Sequence, residues 1–333
     1  MYIAYVFDEN FAACAAVSMV SLLENNKKAN GVHFFIFDDG IAEESRKKLC
    51  ALCDSYKADI VFIDAKPICE RMAKFNVQPW RGRYSAYIKL MLSSFLPLEV
   101  ERLIVLDADT IVVGDIGELC TMDLEGHPCA MALEGIDGRY RFLSGVGNSE
   151  LYNTGVIVYD LPGWRRKEVE KRFVDHLTTV RSRYMLPEED AISIVLKGDV
   201  KRLAPQFNFI TQFQAYATER YFKRFHWDRM GECFYKLEEV QKARKDVRIY
   251  HCIDMFTGRP WYAENVHPYT KYYDQFLSMT PWRNIPKHNQ KVSYLVRLEY
   301  LIKKYSPQPL SDYFYSVAAR WVYTTKAKKY YKS

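Results

Sequence analysis

No apolar run in this 333-residue sequence is long enough to cross a bilayer. The longest, Phe11 to Leu23, is interrupted by Ser18 and Ser21 and falls short of the roughly 20 residues a spanning helix needs. Met1 leads straight into Tyr2-Ile-Ala-Tyr-Val-Phe7, a strand pattern with no basic segment before it, so no signal peptide is expected. Internal repeats and low-complexity linkers are also missing. No Gly-x-Gly-x-x-Gly follows a strand pattern and no Gly-x-x-x-x-Gly-Lys loop occurs, which excludes both glycine-rich phosphate cradles. A nucleotide phosphate would need a metal ion to help hold it.

Cysteine is present but not organised. The eight are scattered, and Cys50-x-x-Cys53 is the only close pair, in a helical pattern without a second pair at zinc spacing. Reduced thiols of a cytoplasmic protein are expected. The basic surplus is confined to one end. Residues 291–333 carry nine Lys/Arg against two acids, leaving 38 basic and 39 acidic residues in 1–290. A body of that balance with no stacking platform argues against nucleic acid as a partner.

Short apolar runs alternate with helical patterns through the first half. Strands are expected at Tyr2–Phe7, Val32–Phe37, Ile60–Ile63, Arg102–Leu106, Ala130–Leu133 and Gly155–Tyr159. Helices are expected at Phe11–Asn25, Ala42–Tyr56, Ser85–Ser93, Gly163–Thr179 and Glu188–Leu196. This alternation predicts an α/β fold with a mostly parallel central sheet and flanking helices. Ligands of such sheets sit at the carboxyl ends of the strands. Asp8 and the pair Asp107 and Asp109 both stand at such ends. Residues 200–290 read as irregular and aromatic, a lid and acceptor side of the same domain. A domain is expected over 1–285, followed by a basic, aromatic, helical tail over 286–333.

The stretch Leu103-Ile-Val-Leu-Asp107-Ala-Asp109 sets two carboxylates on one face of an extended chain. Like charges placed together in an apolar setting need something positive between them. Hard oxygen ligands favour Mg2+ or Mn2+, and an added imidazole tilts the choice toward Mn2+. An ordinary strand-end turn is the plainer reading of this motif alone.

Four blocks in order make the reading specific: Phe7-Asp8-Glu-Asn10-Phe, Leu103 to Asp109, Tyr152-Asn153-Thr-Gly155-Val, and His251 with Arg259-Pro-Trp261. With them, roughly residues 1 to 275 resemble bacterial members of glycosyltransferase family 8, the family of lipooligosaccharide galactosyltransferases and glycogenin. The resemblance implies a GT-A fold and retaining transfer of a hexose from UDP-glucose or UDP-galactose to a glycan or glycolipid acceptor. By position, Val6, Asp8 and Asn10 would meet uridine and ribose, with Ala108 against the ribose through its backbone. Asp107, Asp109 and His251 would bind Mn2+. Asn153 and Glu188 would hold sugar hydroxyls, and Glu134 would face the acceptor. Arg259, where the family usually has Lys, would donate to the diphosphate, a fork suited to phosphate oxygens.

Plainer readings stand beside these. His251 could be a core histidine, Asn153 a turn former, Trp261 a packing residue, and Glu188-Glu189 a solvated helix start after Pro187. Three departures from the family pattern also matter. Glu188-Glu189-Asp190 stands where Asp-Gln-Asp is usual, so Glu189 could act as a nucleophile where an amide could not. Two extra residues between His251 and Arg259 displace Gly258. Tyr87 stands where some members carry a donor-binding Arg, and Lys89 could substitute. Rival functions are an inverting glycosyltransferase or nucleotidyltransferase of the same fold, or a protein that binds a nucleotide-sugar or glycan without turnover. The tail, with Tyr313, Phe314, Val317, Trp321 and the lysines from Lys326, reads as an anchor on the anionic inner face of the membrane, separable from catalysis. The alternative is a solvated helix packed on the domain.

Overall fold

A computed structural model describes the chain except residues 30, 80–81, 137–148, 180–183, 185, 217, 255–256, 291–293 and 332–333. Its first three strands, β1 (Tyr2–Phe7), β2 (His33–Asp38) and β3 (Asp59–Asp64), pair parallel and in register. The helices Ala12–Asn25 and Glu43–Tyr56 make the crossovers. Next come β4 (Arg102–Leu106), β5 (Thr110–Val112), β6 (Cys129–Leu133), β7 (Tyr152–Asp160), β8 (Val200–Arg202), β9 (Phe209–Ile210) and β10 (Ile249–His251).

They form a seven-stranded sheet of order β3-β2-β1-β4-β7-β6-β8 and a small sheet of order β5-β10-β9. In the large sheet only β7 runs against its neighbours, antiparallel to both β4 and β6. Both faces are covered, as a parallel sheet requires. Leu103 and Val105 point into one core and Ile104 and Leu106 into the other, all fully buried. The helix Ala12–Asn25 reads as apolar nearly all round because it is buried nearly all round.

The α/β expectation holds, and the differences have local causes. The expected helix Ser85–Ser93 is a 3-10 turn, one α turn at Ile88–Met91 and a second 3-10 turn. That over Gly163–Thr179 is two helices, Leu161–Arg166 and Val169–Thr179, with Glu168 in a left-handed conformation (φ +49°) at the corner. Residues 200–290 are less irregular than expected, since they supply β8, β9 and β10. All eight cysteines are free, Cys50 and Cys53 included.

The tail forms helices Tyr294–Tyr305 and Gln308–Tyr331, which fold back onto the body. Tyr315 packs on Tyr221 and Phe225 with ring centroids 6.1 and 5.9 Å apart, and Ala319 is fully buried. Tyr294, Leu298, Leu301, Tyr305, Leu310, Tyr313, Phe314, Val317 and Trp321 stay exposed. No helix among the described residues is long and apolar enough to cross a membrane. The side chains from Lys326 to Lys332, expected to face lipid, lie outside those described.

Candidate active site

The site forms where the two sheets share a stretch of chain. Asp107 follows β4 of the large sheet and Asp109 precedes β5 of the small one. Asp107 is fixed by its N–H donating to Gly155 O (2.9 Å), and its own carbonyl accepts from Thr110 N–H (3.1 Å) and Oγ1 (2.8 Å). The β5–β10 register pairs Thr110 with His251, and Cys252 N–H donates to Asp109 O at 2.9 Å. Strand pairing therefore delivers the imidazole to the two acids.

The proton on that imidazole can be placed by following donors. Gly155 N–H donates to Asn153 Oδ1 (2.9 Å), so this atom is the amide oxygen. Asn208 Nδ2 donates to the same oxygen at 2.6 Å, which turns Asn208 Oδ1 toward the ring. His251 Nδ1 thus faces two acceptors, Asn153 Oδ1 at 3.1 Å and Asn208 Oδ1 at 3.0 Å, and must carry hydrogen. In the neutral ring, Nε2 then presents its lone pair to Asp109 Oδ1 (3.2 Å) and Asp107 Oδ2 (3.8 Å). Three electron-rich atoms that converge in this way repel one another unless a proton or a metal ion lies between them. One ligand atom from each of Asp107, Asp109 and His251 falls within 4.8 Å of the others, and an outward Nδ1–H anchored to carbonyls is the usual support of a metal-binding histidine. The donor set fits Mn2+ or Mg2+.

Two cations already balance the acids. Lys89 Nζ contacts Asp107, and also donates to Thr154 O (3.1 Å) and approaches its Oγ1 (3.5 Å). Burial opposes its charge, but Asp107 and Glu188 more than offset this and hold the ammonium above its ordinary value. Arg259 Nη1 contacts Asp109 and the carbonyl of Cys252, with its guanidinium 5.5 Å from the Trp261 ring centroid. Burial works against ionised Asp109, yet His251, when its ring carries a proton on both nitrogens, and Arg259 keep its carboxyl well below the usual range.

Asp107, Asp109 and Lys89 border a cavity of about 470 Å3, whereas His251 and Arg259 stand behind the two acids and are not part of its lining. Val6, Asp8, Lys89, Asp107, Ala108, Asp109 and Glu188 line it, so seven of the expected residues meet there. Asn10 borders an adjoining cavity of about 450 Å3 and donates to Asp8 Oδ2 at 3.1 Å. Tyr87 is buried and lines neither; Lys89 takes the cavity position. Gly258 stands apart from the cavity, with φ +70°.

Glu134, Asn153 and Glu189 form a second group. Asn153 Nδ2 donates to Glu134 Oε2 and, at 3.4 Å, to Glu189 Oε1. Glu188 and Glu189 open the helix Pro187–Val195. Burial raises the Glu188 carboxyl, and Lys89 opposes it. Burial, then Glu134, Glu188 and Asp190, push Glu189 well above the ordinary carboxylate value. A protonated carboxyl offers both a donor and an acceptor, as an amide does, although the amide has a second N–H.

Asn208 and Arg83 were not legible from sequence. Asn208 lies between two phenylalanines like any strand edge. Arg83, 2.9 Å from Asp8 Oδ2 and lining both cavities, follows residues with no periodic pattern.

A crevice at strand ends with two acids, a histidine and buried cations is the candidate site of an α/β chain with the GT-A fold. The family model for glycosyl transferase family 8 matches residues 2–262, and the chain belongs to that family. It is 25% identical to a lipopolysaccharide 1,2-glucosyltransferase of Escherichia coli (88% of this chain, 84% of that protein). It is 26% identical to a lipopolysaccharide 1,3-galactosyltransferase of Salmonella typhimurium (89% and 83%). The fold matches the galactosyltransferase LgtC, solved with donor and acceptor sugar analogs, at a TM-score of 0.65 and 21% identity, over 89% of this chain and 99% of that one.

Proposed function

We propose that the chain is a retaining hexosyltransferase that moves glucose or galactose from a UDP-sugar to a glycan or glycolipid acceptor of the lipopolysaccharide type, with Mn2+ or Mg2+. The observation that carries this is the convergence of Asp107, Asp109 and the His251 Nε2 lone pair beside Lys89 and Arg259. Asp107, Asp109 and His251 would hold the metal ion, which supplies charge stabilisation for the departing diphosphate. Arg259 and Lys89, paired with Asp109 and Asp107, would set positive charge beside the phosphate oxygens before the bond breaks. Val6, Asp8, Asn10 and Ala108 receive uridine and ribose, while Asn153 and Glu188 orient sugar hydroxyls. Glu134 stands on the acceptor side through its bond to Asn153.

Burial and the acids around it disfavour the ionised form of Glu189 and so weaken it as a nucleophile, which favours attack on the same face as the departing diphosphate. The test is release of UDP from UDP-glucose and UDP-galactose with and without Mn2+, with the anomeric configuration of the product read by NMR. Metal-dependent release and retention are expected, with most turnover kept by Glu189→Gln. An inverted product, or a glycosyl adduct trapped on Glu189, would defeat this mechanism.

The exposed apolar tail face is assigned to the inner leaflet of the membrane, with the basic surplus drawn to anionic lipid. Sedimentation with anionic vesicles should fall as salt rises. Binding indifferent to salt would exclude the electrostatic part.

A further inference from the structure

The tail was expected to be separable from catalysis, but its first helix reaches the corner of chain that carries Arg259. Gly258 is left-handed at φ +70°, and its N–H donates to Asp254 Oδ1 at 3.2 Å. A Cβ built on Gly258 would stand 2.8 Å from Tyr300 Oη and 3.0 Å from Asn265 Cβ. The glycine thus makes room for the tyrosine as well as the turn. Tyr300 is 7% exposed, on a helix whose neighbouring positions Leu298 and Leu301 are open to solvent. One turn earlier, Arg297 grips Glu264 with two donors, Nε at 3.2 Å and Nη2 at 3.1 Å. Glu299, next to Tyr300, is pushed up to about 7 by burial and by Asp254, which places this helix against the start of the same corner. Beyond the corner, Tyr262 N–H donates to Arg259 O at 3.0 Å.

We propose that the helix Tyr294–Tyr305 is a positioning element for Arg259, with Tyr300 seated against Gly258 as its contact point. This rests on the reading of Arg259 as a diphosphate ligand. The helix has two faces with different tasks: the inner one fixes the corner, and the outer one carries Tyr294, Leu298, Leu301 and Tyr305. A guanidinium held at one end of a braced turn meets a phosphate with little ordering left to do. Freed from the brace, Arg259 still carries its charge but samples other positions, so donor affinity suffers more than the chemical step.

The test uses the full chain with Tyr300→Ala, Tyr300→Phe and Arg297→Glu. Tyr300→Ala should raise KM for the UDP-sugar about ten-fold with a smaller change in kcat, and weaken UDP binding with Mn2+ by a similar factor. Tyr300→Phe removes only the hydroxyl that meets Gly258 and keeps the ring, so its KM should fall between those of the parent and Tyr300→Ala. Arg297→Glu sets like charges against Glu264 on an exposed surface, so folding is not at risk, and it should raise KM several-fold. Amide exchange in the ligand-free protein provides a readout independent of the donor. Gly258 and Tyr262 should exchange faster in Tyr300→Ala and in Arg297→Glu. A parent protein that binds no UDP, with exchange altered as expected, would remove the donor reading and leave the brace. UDP binding by the parent, with KM and exchange unmoved in Arg297→Glu and in folded Tyr300→Ala, would overturn the proposal. A lowered melting temperature with unchanged KM would do the same.

Discussion

Asp109→Asn should abolish metal-dependent turnover, by about a thousand-fold or more. The carboxylate faces His251 Nε2 and contacts Arg259, with 12% of its side chain exposed. Removing one partner from a buried ion pair costs roughly 3–5 kcal/mol. If that loss falls on the transition state, it corresponds to two to four powers of ten in rate. Asp107→Asn should behave similarly and would also leave Lys89 without its carboxylate. The measurement is UDP release at saturating Mn2+, with circular dichroism to confirm the fold. Turnover by the parent protein in EDTA at its full rate would remove the metal from the account. The depressed Asp109 carboxyl also sets a sign. Its contribution to stability is in place above the ordinary carboxylate value and drains away as the pH falls below that value toward its own. Asp109→Asn should therefore lose less stability on acidification than the parent.

Gly155→Ala is expected to be nearly as damaging, although Gly155 offers no side chain to chemistry. A Cβ there would stand 2.3 Å from both Cε1 and Nδ1 of His251, far inside contact distance. Either the ring turns away or β7 shifts and pulls on Asp107, whose N–H is bonded to Gly155 O. Overpacking of this kind costs roughly 1–3 kcal/mol. Disturbing the support of a metal-binding histidine typically removes about 10–100-fold in affinity. Turnover should fall about a hundred-fold, with a lower melting temperature and a weaker response to added Mn2+. Combining Gly155→Ala with His251→Ala should add little to the loss in either alone, since both act through one ring. Gly155→Ala with the parent's Mn2+ response would falsify the assignment of room to this glycine.

Much of this was legible because strand and helix periods differ and because acids are conspicuous in apolar strands. β1 and β4 carry Asp8 and Asp107 at their carboxyl ends, and alternation alone placed both. The direction of β7 was not legible, since a strand buried on both faces reads the same in either orientation. Which of Tyr87 and Lys89 faces the cavity was not legible, because the expected helix is three short turns, and a 3-10 turn sends side chains in directions that an α period does not predict. Asn208 is visible only through the pairing of β9 with β10, which no local pattern announces. The tail helices were found, but not their seat, because an amphipathic stripe does not say what it packs against.

The two-sheet origin of the site sets the order in which it can be made. His251 reaches Asn153 across 98 positions of sequence, and Arg259 reaches Asp109 across 150. During synthesis the large sheet acquires β1 to β4 and both acids long before β9 and β10 leave the ribosome. Until then the two acids have neither imidazole nor guanidinium, and of their partners only Lys89, beside Asp107, has been made. On the proposed function, a nascent chain would not yet bind donor, and activity would report that the last third of the protein has folded.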